Sequence, residues 1–143
     1  MGMMWGFVVV ALSVVCWGGQ AMAWFSPSTA VRLSLTESDD AVDAAFSADG
    51  RGEALWDTLT LWTMPVAGVL LIADNDAWTY FGLVGGAMYL YFAGRGVFTR
   101  IAMRRRGVQV GTQQNVTLAL IFLTIWGVMG LVTIVAAVVS LTS

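Results

Sequence analysis

Few side chains in this 143-residue chain can do chemistry: nine carboxylates, seven arginines, three tyrosines and the single cysteine Cys16. There is no histidine and no lysine. A His-ligated haem, chlorophyll or zinc centre, or a disulfide within one chain, therefore lacks its residues, and no catalytic set, metal site or cofactor is expected. Within the apolar segments the only carboxylate is Asp57. Asp57 lies eighteen residues before Asn75 and Arg95 twenty after it. In an antiparallel helical hairpin turning at Asn75 the two differ in depth by about 3 Å, within reach of an arginine side chain. Glu53 and Arg100 are similarly matched one turn further out. An isolated charge at the centre of a membrane helix costs about 3 kcal/mol, so both pairs are expected to form and to staple the hairpin rather than to act as a proton or ion relay. Most of the remaining acids, Glu37, Asp39, Asp40 and Asp43 among them, crowd one polar segment at spacings that fit no EF-hand loop.

These groups sit on a strongly apolar frame. Stretches at about 3–25, 55–73, 77–98 and 116–141 are each long enough to cross a bilayer core of about 30 Å as a helix. The chain reads as one all-α integral membrane domain of four transmembrane helices, with a polar loop at 26–54 and a basic loop at 99–115. Residues 21–23, Ala-Met-Ala, resemble a signal-peptide cleavage site, but no basic residue precedes them and the apolar run is long enough to span, so it is read as the first helix. Val15 before Cys16 argues against a lipidated cysteine, and the residues after Gly2 against myristoylation.

Orientation follows from the arginines. With four spans, all seven (Arg32, Arg51, Arg95, Arg100, Arg104, Arg105 and Arg106) fall on the side of the two loops, and none on the side of the termini and the Asp74–Asp76 turn. The positive-inside rule then places the loops in the cytoplasm and both termini outside, in a bacterial-type inner or plasma membrane. Trp5, Trp24, Trp56 and Trp78 fall near the interfaces, whereas Trp17, Trp62 and Trp126 lie deeper and are read as fillers between helices rather than a quinone or pigment pocket. The basic run at Arg104 abuts a span, so it reports topology and not a nucleic-acid partner.

Small residues mark the expected helix contacts, because in lipid they let backbones approach. Gly82, Gly86 and Ala93 form such a stripe in the third span, and Gly130, Thr133 and Ala137, with Ser140, in the fourth. The first span carries Gly6, Ser13 and Gln20. Pro65 leaves the Leu61 carbonyl without its helical partner and is expected to kink the second span. Thr36 is expected to cap a short amphipathic helix that starts at Glu37, lies along the membrane surface and ends at Gly50, its acids solvated or turned toward Arg104–Arg106.

The leading functional expectation is a non-catalytic accessory subunit of a membrane complex or a self-associating scaffold, with lipids, other integral subunits or copies of itself as partners. The alternative is a small channel or transporter whose path uses Asp57, Arg95, Gln20 and the Pro65 kink. A membrane enzyme acting on lipid or quinone ranks last.

Overall fold

The computed structural model describes residues 2–143. The described residues form six α-helices: α1 (Gly2–Phe25), α2 (Pro27–Arg32), α3 (Ala44–Thr60), α4 (Thr63–Ile72), α5 (Trp78–Arg105) and α6 (Gln113–Thr142). Three stretches are long and apolar enough to cross a membrane: Gly2–Phe25, Ala44–Ile72 (α3 with α4) and Gln113–Thr142. The third expected span, α5, falls outside this set. Its composition is diluted by glycines, tyrosines and arginines, and its place in the fold explains why. It packs against α4 on one side and α6 on the other. Its buried residues are mostly small or aromatic, including Gly82, Gly85, Gly86, Tyr89, Phe92 and Ala93. The faces held between two neighbours need close-packing residues more than lipid-like ones, while Tyr80, Val84, Tyr91 and Phe98 stay exposed on the outer face.

Helices α6, α5, α4 and α1 lie side by side in that order, and α3 continues α4 along α1. The ends of the row meet where the Trp126 indole donates to the Leu12 carbonyl at 3.0 Å. Val9, Cys16, Leu61, Met64, Tyr89, Phe92, Leu123 and Met129 form the core. The outer faces are bare hydrocarbon, as at Phe7 and Val15 on α1 and Ile121, Val128 and Val135 on α6.

The α5–α6 seam is made where backbones nearly touch. Gly86 faces the Gly130 carbonyl, Gly82 faces Thr133, and Gly127 faces Ala93. Ala137 and Thr133 are buried. Across the other seams Gly85 lies on the Met64 backbone, and Gly6 and Gly68 bring α1 onto α4. The small-residue stripes of the third and fourth spans are therefore both used within one chain.

Pro65 acts four residues upstream, as its missing N–H requires. Helical hydrogen bonding lapses at Leu61–Trp62, where Leu61 N still bonds Asp57 O at 2.8 Å but the Leu61 carbonyl receives only Met64 N at 3.3 Å. This break separates α3 from α4. The α4–α5 turn closes through Asn75 N to Leu70 O at 3.0 Å, with Asp74 at φ 53°. Asn75 Oδ1 then accepts from Ala77 N at 3.0 Å and helps start α5.

The polar loop departs most from expectation. No helix runs from Glu37 to Gly50. Instead Asp39–Ala41 makes a single 3-10 turn, and α3 starts at Ala44 and passes through Gly50 and Gly52 without interruption to Thr60. The second long helix thus begins eleven residues earlier than the apolar pattern alone indicates. The cause lies in the second loop, with which residues 37–43 pair. Val42 forms an antiparallel bridge with Val110, Asp43 N donates to Gln109 O at 2.9 Å, and Gln109 N donates to Asp43 Oδ2 at 2.5 Å. Asn115 Nδ2 donates to Glu37 Oε2 at 2.9 Å, and the Glu37 side chain lies against Gly111. Partners on the second loop thus hold Glu37, Val42 and Asp43 out of a helix. The acids do not turn to the arginine run: Asp39 pairs with Arg51 at 3.4 Å, while Arg104 donates to Gln113 at 2.8 Å.

Candidate functional site

Three carboxylates at four-residue spacing, Asp49, Glu53 and Asp57, follow one face of α3 from the loop end toward the middle of the bundle. Two recesses flank this face. A cavity of about 900 Å³ at the loop end is bordered by Gln20, Glu37, Phe46, Asp49, Glu53 and Arg100, among others. A groove of about 390 Å³ between α3 and α5 is lined by Asp49, Glu53, Trp56, Asp57, Tyr91 and Arg95. Asp49 and Glu53 border both.

The ion pairs differ from those the hairpin count leads one to expect. Arg95 Nη1 lies 2.5 Å from Glu53 Oε1, and Arg95 Nη2 lies 2.7 Å from Asp49 Oδ1. The helical register accounts for the change. Gly85 lies on Met64, and seven residues further along each helix Phe92, not Arg95, stands level with Asp57. Arg95 is three residues, about 4.5 Å, nearer the loop end. Its long side chain extends toward that polar end rather than inward, and meets Glu53 and Asp49. The second expected pair, Glu53 with Arg100, also does not form. Arg100 turns to the cavity side, where its guanidinium sits 5.4 Å from the Phe46 ring centroid and Nη1 donates to the Gly96 carbonyl at 3.0 Å. Burial lowers the pKa of the Arg100 guanidinium from its ordinary value, against the opposing pull of the carboxylates of Glu53, Glu37 and Asp49.

Asp57 is left without a cation: among the described residues none lies within ion-pair range of it. The residue is 5% exposed, and its Oδ2 is buried with no hydrogen-bond partner. The Trp17 indole donates to the neighbouring Thr58 carbonyl at 2.9 Å. That bond ties this level of α3 to a point on α1 eight residues, about 12 Å, before its end at Phe25. Asp57 is thus well inside the bundle. Beyond it toward the far end the interior is shut by Val9, Leu61, Met64 and Tyr89, none more than 1% exposed. Tyr89 donates to the Ser13 carbonyl at 2.9 Å, and Cys16 is buried alongside.

The sequence pointed to Asp57, Glu53 and Arg95 as interacting groups but did not identify Asp49 as the second partner of Arg95. The signal was there, in the four-residue repeat of acids from Asp49 to Asp57. It is visible only once α3 is known to run through Gly50 and Gly52. No three His, Cys, Asp or Glu side chains among the described residues are grouped to hold a metal ion. Comparison with family models, curated proteins and solved structures returns no match.

Proposed function

We propose that this chain is a four-span, non-enzymatic membrane protein that acts as a small transporter, with Asp57 as the site its cargo reaches from the loop side. The observation that carries this reading is the unpartnered, buried carboxyl of Asp57 at the inner end of a groove lined by Glu53 and Asp49. An ionisable side chain within a membrane helix is costly unless it serves a purpose there, and no arginine neutralises this one. The groove reaches Asp57, and beyond it the interior is closed by Leu61, Met64 and Tyr89, which suits alternating access better than an open pore. The Leu61–Trp62 break above Asp57 supplies a hinge of the kind that discontinuous membrane helices use.

In this arrangement α5 is the third span, packed between α4 and α6, and lipids meet the outer faces of the helices. The arginine distribution puts both loops in the cytoplasm and both termini outside, in an inner or plasma membrane. The test is solute uptake by the purified chain in liposomes. Uptake is expected to fall to background in Asp57→Asn while the variant retains its fold. Wild-type protein that moves no proton or cation would sink the reading.

A second reading, an accessory subunit of a membrane complex, is favoured by one observation: in a single chain the route stops at Leu61 and Met64. On that reading other integral-membrane chains or copies of this one complete the assembly. Because the α5 and α6 stripes are already used internally, contacts would have to be made by the exposed outer faces of the helices, such as Phe7 and Val15 on α1, Tyr80 and Phe98 on α5 or Val128 and Val135 on α6. Mass spectrometry of gently purified protein distinguishes the two, since a stoichiometric partner supports the subunit reading.

A further inference from the structure

We infer that Asp57 is a proton-binding site and that the cargo reaching it is a proton rather than a metal cation; this rests on the transporter reading. The donor set decides between the two. A calcium ion takes six to eight oxygen ligands and magnesium a near-octahedral set, usually including more than one anionic group or several waters. At Asp57 only one carboxylate is free, because Glu53 and Asp49 are both engaged by Arg95. Tyr89 has its hydroxyl proton on the Ser13 carbonyl. A proton needs one carboxylate and nothing else.

The surroundings favour the proton-bound form. The titratable groups around Asp57 are Glu53 and Asp49 on its own helix, Cys16 from α1, and Tyr89, Tyr91 and Arg95 from α5. Helices α4 and α6 carry no titratable side chain. The one cation in this group is committed one and two turns away to Glu53 and Asp49. An ionised carboxylate whose Oδ2 is buried without a partner carries a large desolvation cost, which protonation removes. The step is a simple exchange: a hydronium ion in the groove gives its proton to the Asp57 carboxylate, an O–H bond forms, and water remains. Arg95 engages the Glu53 and Asp49 carboxylates at the groove's outer part, which leaves Asp57 as the free carboxylate there.

The test uses the full chain in detergent and in phosphatidylcholine vesicles. Dicyclohexylcarbodiimide, which reacts with protonated carboxyls in apolar surroundings, should label Asp57 in preference to Glu53 and Asp49. The labelled fraction should decline as pH rises, and Asp57→Asn should lose it. Infrared spectra provide a readout that does not depend on reagent access: the protonated-carboxyl stretch present in wild type should be missing from Asp57→Asn and retained in Asp57→Glu. Absence of both the label and the band at acid, neutral and alkaline pH overturns the inference. Dye-loaded vesicles separate this from failure of the transporter reading. Label and band without proton uptake leave the proton site standing and remove the transporter, whereas Asp57-dependent sodium or calcium uptake without the band keeps the transporter and overturns the proton.

Discussion

Replacing Gly86 with alanine adds a single methyl group where α5 and α6 have no room for it. A Cβ built there would stand 2.8 Å from the Gly130 carbonyl oxygen and 2.6 Å from Ile134 Cγ1. The isoleucine methylene can rotate away, but the carbonyl belongs to a helix backbone and cannot. Carbon–oxygen contacts across helix interfaces settle at about 3.3 Å, so the helices must part by about half an ångström. A gap of that size forfeits roughly a quarter of the dispersion energy of the atoms that line it. Overpacking of this kind costs about 1–3 kcal/mol, against a gain of at most about 1 kcal/mol from the better helix propensity of alanine. Gly94, on the same helix with nothing within 4 Å of its Cβ position, is the control, because its substitution carries the propensity gain without the clash. Titration with sodium dodecyl sulfate from mild-detergent micelles, followed by circular dichroism, should therefore show Gly86→Ala unfolding earlier than wild type. Gly94→Ala should unfold no earlier. Equal midpoints for the two variants would refute the contact as the determinant of the α5–α6 seam.

Removing Arg95 leaves Glu53 and Asp49 without their cation in a partly buried setting, where the three side chains are 19–32% exposed. Arg95→Leu should cost about 2 kcal/mol, below the 3–5 kcal/mol of a fully buried pair, and adding Glu53→Gln should restore part of that loss. Adding Asp57→Asn instead should restore less in the same detergent unfolding assay; a larger recovery through Asp57 would return it to the pair. For orientation, cysteines placed at Ser143 and Asn75 should react with an impermeant thiol reagent on intact cells, and one at Gly107 should not. The opposite pattern would reverse the proposed topology and place the Asp57 groove on the outside.

The sequence by itself determined the class of fold and the small-residue positions, because both depend on local quantities: the length of apolar runs, and the periodicity of glycine, alanine and threonine along a helix. The break between α3 and α4 was equally legible, since a proline removes one specific backbone donor wherever its helix packs. What the tertiary structure decided was pairing. Arg95 chose Glu53 and Asp49 over Asp57 because the α4–α5 register is set where Gly85 lies on Met64, and no count from the turn at Asn75 contains that contact. The segment from Glu37 to Asp43 failed to form the helix its composition favours because Gln109, Val110 and Asn115, more than sixty residues away, hold it. The isolation of Asp57 follows from the same cause: a charge is left unpaired by what its expected partner binds elsewhere, and that competition exists only once α1, α3 and α5 are brought together.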